Sequence, residues 1–297
     1  MKFLASIATL SLLAVAPAFA QGQDFSKVEE VVTNLGHNMY AVTGAGGNTT
    51  VAVGSDAVIV VDTQFAPVYD KLKAAITGLS PLPVKFVINT HYHGDHTGGN
   101  EAFAKAGATL VAYETLPDRM LHPFPGPGGP GVPAPAGALP TRLYSGGSTT
   151  VTIPGVTADL VHPAPAHTNT DTIVLFKAAN VISTGDIVGS AAYPNIDVAS
   201  GGGIDGMIAG ADYVIAHADA GTKIVPGHGP VTDKAGVIAY RAMLATARDR
   251  IAKAKAAGQT EDQVAADTSL LADLDAKWKA PGNAPPRFPR LVYESVK

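Results

Sequence analysis

Asn89-Thr90-His91-Tyr92-His93-Gly94-Asp95-His96-Thr97 is the stretch on which the reading of this chain turns. Three imidazoles and a carboxylate fall between positions 91 and 96. The segment before it, Val84-Lys85-Phe86-Val87-Ile88, is short, β-branched and apolar, as in a buried strand. The cluster therefore stands at the end of a strand, where α/β sheets place their chemistry. His91 and His93 are two residues apart and point the same way on extended backbone. Gly94 lets the chain turn, and Asp95 and His96 project from that turn. Imidazole with carboxylate suits Zn(II), with Fe and Mn as other candidates. A tetrahedral zinc that keeps an open position uses three protein ligands, so this cluster is too large for one such ion. His91 and His93 can share one ion while Asp95 and His96, facing differently, serve a second. That arrangement requires further ligands downstream.

Three candidates follow. His167 lies in the loop Pro163-Ala-Pro-Ala-His167-Thr-Asn-Thr-Asp171, between strand-like segments 156–161 and 172–176. Asp186 follows the β-rich stretch 181–184 and Gly185. His228 sits in Pro226-Gly227-His228-Gly229-Pro230, after the strand-like 223–225. Any one of them alone would pass as a capping or core polar residue. All three stand at strand ends, as the 91–96 cluster does, and in a sheet with consistent strand direction those ends converge.

The rest of the chain supports an α/β architecture. Segments 39–43, 49–53 and 57–62 read as an antiparallel meander divided by the turn signals Gly44-Ala-Gly-Gly-Asn48 and Gly54-Ser-Asp56. Gly44 to Gly47 lacks the lysine and following helix of a phosphate loop and reads as a hairpin turn. Positions 67–79 have helical apolar spacing at Val68, Leu72, Ala75, Ile76 and Leu79. A second helix is expected over 98–106 and a second core strand over 108–112. Segment 121–140 is nearly all Pro and Gly from His122 onward, so it is neither helix nor central strand. It reads as a long surface loop near the site rather than a linker. Strands are expected at 149–153, 156–161, 172–176, 181–184 and 223–225, and helices at 204–218 and 233–257. Thr260-Glu-Asp-Gln263 has the pattern of a capping box. The second half thus repeats the first: strands, then helix, strand, helix. The histidines at 37, 122, 162 and 217 read as structural or surface residues, with His122 the one to watch because it begins the Pro/Gly segment.

Composition narrows the function. Residues 1–20 read as a secretory signal, with Lys2, an apolar core 3–15 and the small-x-small site Ala18-Phe-Ala20. A periplasmic or secreted protein is expected, cleaved after Ala20, with 21–297 forming one domain of about 277 residues. No later segment is long and apolar enough to span a bilayer. The chain has no cysteine, so a transition-metal site must be built from His and carboxylate. Its net charge of −4 and the lack of any Lys/Arg run argue against nucleic acid as a partner. A small-molecule substrate is expected instead.

The residues quoted above resemble the metallo-β-lactamase superfamily over roughly 39–231. Its H-x-H-x-D-H motif reads His91-Tyr-His93-Gly-Asp95-His96, its next histidine matches Ala166-His167-Thr168, its bridging carboxylate matches Ser183-Thr184-Gly185-Asp186, and its last histidine matches Pro226-Gly227-His228-Gly229. The resemblance implies an αβ/βα sandwich, two mixed sheets between outer helices. It implies two zinc ions per chain: one on His91, His93 and His167, the other on Asp95, His96 and His228, with Asp186 bridging. Asp62 matches a position that supports the site from behind; the alternative for it is a turn-capping aspartate.

The chemistry so implied is hydrolysis of an acyl C–N, C–O or C–S bond by a metal-bound hydroxide that Asp95 orients. No cofactor beyond the metals is indicated. The leading substrate class is a β-lactam or a related lactam or lactone. Asp186 stands where one major group of zinc β-lactamases has Cys, and Gly189 where that group has a Lys for the substrate carboxylate. In that respect the chain is similar to glyoxalase II and the lactonases. The alternatives are a glyoxalase II-like thioesterase, a mono-iron dioxygenase of the same superfamily, or a metal-keeping accessory protein without catalysis.

Overall fold

The computed structural model describes residues 24–124, 131–279 and 287–296. The expected signal segment 1–20 lies outside them, as does part of the Pro/Gly loop. Among the described residues no helix is long and apolar enough to cross a membrane.

The chain opens with β1 (Val31–Gly36), β2 (Met39–Thr43), β3 (Thr49–Val53) and β4 (Val58–Val61), an antiparallel meander. Helix α1 (Tyr69–Leu79) leads to β5 (Val84–Ile88), which runs parallel to β4. The short helices α2 (Gly94–Thr97) and α3 (Asn100–Lys105) lead to β6 (Thr109–Tyr113). Helix α4 (Leu116–Leu121) and the Pro/Gly segment lead to β7 (Arg142–Tyr144). These seven strands form one sheet in sequence order. The second sheet holds β8 (Ser148–Ile153), β9 (Val156–Val161), β10 (Ile173–Phe176), β11 (Val181–Ser183) and β12 (Lys223–Val225), in spatial order β12-β11-β10-β9-β8. Helix α5 (Ile204–His217) joins β11 to β12, which pair in parallel. Helices α6 (Lys234–Ala256), α7 (Glu261–Ala266), α8 (Ala272–Trp278) and α9 (Arg287–Ser295) complete the order.

The layering follows from the two-residue period of strands. Ile59 and Val61 of β4 face the second sheet, packing with Phe176, Val174 and Leu160. Val58 and Val60, which alternate with them in sequence, face the other way onto Leu72, Ile76 and Phe103 of α1 and α3. In β10, Val174 and Phe176 fill the space between sheets, while Ile173 and Leu175 pack on α5, α6 and α9. Helices therefore cover both outer faces, which is the αβ/βα sandwich. Burying such a side chain stabilises the fold by roughly 1.5–3 kcal/mol, and the central strands are buried on both faces.

The expected elements lie within a residue or two of those observed, apart from the short ones. The helix expected over 98–106 covers only Asn100–Lys105, because α2 and its Gly98-Gly99 exit take the preceding turn. The capping box forms as read: Gln263 N donates to Thr260 Oγ1, and Thr260 N donates to Gln263 Oε1. Six elements were not anticipated: β1, α2, α4, β7, α8 and α9. β1 is largely exposed and so carries little hydrophobic alternation. β7 has three residues and α4 six, too few to show a period.

Candidate metal centre

The strand ends converge where expected. The C-terminal ends of β4, β5, β11 and β12 deliver Asp62, His91, Asp186 and His228, and the β9–β10 loop delivers His167. The two sheets are stitched together at this edge. Thr172 N donates to Thr90 O at 2.7 Å, and Asn48 N to Gly227 O at 2.7 Å. Asn48 Nδ2 also donates to the carbonyls of Pro226 and Gly229, so it holds the loop that carries His228. The Gly44–Gly47 turn is the β2–β3 connection, as expected, and it borders the site: Gly47 N donates to Asp95 O at 2.8 Å. A Cβ at Gly47 would run into the His96 imidazole, and one at Gly227 into the Asp186 carboxylate. The backbone approach at both places requires glycine.

All seven expected ligands come together, in two sets. His91, His93, His167 and Asp186 form one, and Asp95, His96 and His228 the other; within each, one ligand atom per residue lies within 4.8 Å of the rest. Asp186 also reaches the second set, with Oδ1 3.2 Å from His96 Nε2 and 3.5 Å from His228 Nε2. Its other oxygen is 3.5 Å from His167 Nε2. Ring nitrogens face one another across each set: His93 Nδ1 and His167 Nε2 are 3.0 Å apart, His96 Nε2 and His228 Nε2 3.4 Å.

The nitrogens that point away are held from behind. His91 Nδ1 meets Thr90 Oγ1 at 3.0 Å, His167 Nδ1 meets Asn195 O at 2.8 Å, and His93 Nε2 meets Asp197 Oδ2 at 3.0 Å. His96 Nδ1 meets Asp62 Oδ2 at 2.8 Å. Asp62 also accepts from Thr90 N and Thr90 Oγ1, which holds it in a left-handed backbone conformation. It therefore does stand behind the site. Outer partners of this kind orient imidazoles for a metal.

A cation fits the donor set. His91 Nε2 and Asp186 Oδ1 are buried, and among the described residues neither has a hydrogen-bond partner. Leaving buried polar atoms unpaired costs about 1–3 kcal/mol each, and cations held by the two sets would satisfy both. The electrostatics have the same origin. Burial works against charge on His96, but the carboxylates of Asp186, Asp95 and Asp62 hold it well above the usual histidine range. Asp186, with burial against it, holds His228 up at about 10. Burial raises Asp95 and Asp186, yet His96 and His228 bring Asp95 to about 2, and His228, His96 and His167 hold Asp186 well below the carboxylate range. Without a cation, protons on imidazole balance these carboxylates. Burial, with His96 and His167 adding to it, pushes His91 well down, and burial lowers His167.

The chain matches the model of the metallo-beta-lactamase superfamily over residues 42–242. It belongs to that superfamily. Its similarity to individual members is distant. It is 28% identical over 153 residues to the 2,4-dinitroanisole O-demethylase subunit alpha of Nocardioides sp. (strain JS1661), a match spanning 50% of this chain and 44% of that protein. The chain thus matches less than half the length of this relative. A metallo-beta-lactamase from Pontibacter korlensis superposes with a TM-score of 0.61 at 18% identity, over 73% of this chain and 99% of that one. The stereoselective inverting sec-alkylsulfatase Pisa1 from Pseudomonas sp. superposes with a TM-score of 0.68 at 18% identity, over 89% of this chain and 50% of that one. These likenesses are of fold. Metallo-β-lactamase superfamily members are mostly hydrolytic, and the His/Asp cluster here is consistent with metal binding.

Some contributors at the site escape a reading of the sequence. Asp197 binds His93, Tyr92 and Ser200, and those hydrogen bonds hold it below the usual carboxylate range against the effect of burial. Nothing in Asn195-Ile-Asp197 marks it beforehand. Asp171 accepts from the backbone N–H of His167 and from Thr168, so it shapes the His167 loop. Its Thr168-x-x-Asp171 spacing was a usable signal for a local side-chain-to-backbone turn. His122 does not join the site; it pairs with Asp118 at 3.0 Å on the exposed end of α4. His162 stacks on Tyr113, and His217 on Tyr213.

Proposed function

We propose that this chain is a two-zinc hydrolase that breaks an acyl C–N or C–O bond, with a β-lactam or a related lactam or lactone as substrate. What carries the reading is the meeting of two ligand sets at Asp186, with His91 Nε2 and Asp186 Oδ1 buried and unpaired. His91, His93 and His167 would hold one cation, Asp95, His96 and His228 the other, and Asp186 would touch both. Divalent cations there supply Lewis acidity and a water of near-neutral pKa.

The remaining work falls to side chains. Asp95 is ionised at neutral pH and acceptor-only, so it takes a hydrogen bond from the attacking water and aims its oxygen at the acyl carbon. The water oxygen bonds to that carbon, the C–N or C–O bond breaks, and the proton leaves with the amine or alcohol. Asp62 and Asp197 keep His96 and His93 in place throughout. His228 is the most exposed of the seven, and its side the natural approach for substrate.

The test is elemental analysis of the purified full chain beside a hydrolysis panel of a penicillin, a carbapenem, an acyl-homoserine lactone and a thioester. The expected result is two zincs per chain and turnover of a lactam or the lactone. One iron per chain, turnover of the thioester alone, or two zincs with no turnover of any member overturns it.

A further inference from the structure

The proposed chemistry leaves open which part of a substrate the rim recognises. Most arginines are committed elsewhere. Arg241 pairs with Asp212, Arg248 with Asp205 and Asp249, Arg250 with Asp273, and Arg290 with Glu261 and Asp262. Arg142 lies over Phe86 and donates to the Thr150 carbonyl; the candidate beside the centre is Arg119 on α4. Its Nε donates to Asn169 Oδ1 at 3.2 Å, and its guanidinium lies 4.8 Å over the centroid of the Phe124 ring. Among the described residues no carboxylate pairs with it.

Arg119 stands beside the first ligand set. Asn169 is two residues after His167 and is tied to α4 a second time, by Thr115 Oγ1 donating to its carbonyl. Tyr92, whose ring packs 4.6 Å from that of His93, clusters with Leu116 and Met120 of the same helix. His93 is the part-exposed histidine of its set, at 21% where His167 is fully enclosed. Phe124, against that guanidinium, and Leu121 leave apolar surface exposed. A guanidinium stacked on a ring holds its terminal N–H groups in a fixed plane, a geometry that matches a carboxylate. The position after Asp186 where some relatives carry a lysine is Gly189, which offers no charge.

We infer that Arg119 is a specificity residue that binds a carboxylate of the substrate, with Phe124 covering an adjacent apolar group. The inference rests on the proposed metal-centred hydrolase. It is tested by calorimetric titration of the zinc-loaded full chain with 2-mercapto-3-phenylpropanoate and with its methyl ester. The thiol seeks the metal in both probes, and only the first carries the anion. The acid binds roughly tenfold more tightly than the ester, the scale of one charge-assisted contact. Arg119→Met removes that preference by weakening the acid alone, and Arg119→Lys restores part of it as a point charge. Arg119→Gln carries the same test if the methionine variant does not fold. Equal binding of acid and ester to the wild type, or a preference retained in Arg119→Met, overturns the inference and leaves the metal centre standing. Failure of both probes to bind the zinc-loaded wild type overturns the metal-centre reading and the inference with it.

Discussion

The two ligand sets are built from the same types of side chain, imidazole and carboxylate, but held to different degrees. In the first, the outward nitrogens of His91, His93 and His167 each have a partner behind them. His91 and His167 are also fully enclosed. In the second, His96 is pinned by Asp62, whereas the His228 side chain is 48% exposed and Asp95 rides on a single helical turn. A pinned imidazole loses little freedom when it binds a cation, and a loose one loses more. The first set is therefore the more rigidly held and the second the adjustable one, and the open side of the centre lies with the second.

That contrast can be broken outright. His93→Ala removes a ligand of the rigid set; zinc content should fall by one per chain and hydrolysis by about three orders of magnitude or more. Full activity in that variant would sink the assignment. Asp186→Ala removes the group both sets share. A competing chelator should then strip the second set first, with activity lower by roughly two orders of magnitude; an unchanged two-zinc titration would rule out the shared role.

Subtler changes sharpen the contrast. Asp62→Ala releases His96, the pinned ring of the looser set. Affinity for the second zinc should drop about 10–100-fold, as is typical for a lost outer partner. The first should be affected less, although Thr90, which also contacts His91, loses its acceptor too. Equal losses at both sites, read by chelator competition, would show that the sets are not held independently. Asn48→Ala should have the smallest effect. It frees the Pro226 and Gly229 carbonyls and the His228 loop, at about 1–2 kcal/mol of stability by thermal melting. The second zinc should weaken several-fold. Arg119→Met, by contrast, should leave both zinc affinities alone.

Local pattern accounts for what could be read in advance. The 91–96 cluster, and His167, Asp186 and His228 at strand ends, were legible because ligand chemistry restricts residue type and strand termini restrict place. The buried strands β4 and β10 were legible because both their faces are apolar, and β5 because it is apolar apart from Lys85. Edge strand β1, three-residue β7 and six-residue α4 were not, since exposure or shortness erases the hydrophobic period.

The sequence alone thus set an α/β class and named the side chains that meet at the centre, and its family resemblance implied the αβ/βα sandwich. Tertiary structure decided what stands behind them and beside them. Asp197 meets His93 from 104 residues away, and Asn48 meets Pro226 from 178. Arg119 reaches Asn169 across 50 residues. A single carboxylate, amide or guanidinium carries no local signature of such a role, because its partner is selected by the packing of two sheets against each other and not by its neighbours in the chain.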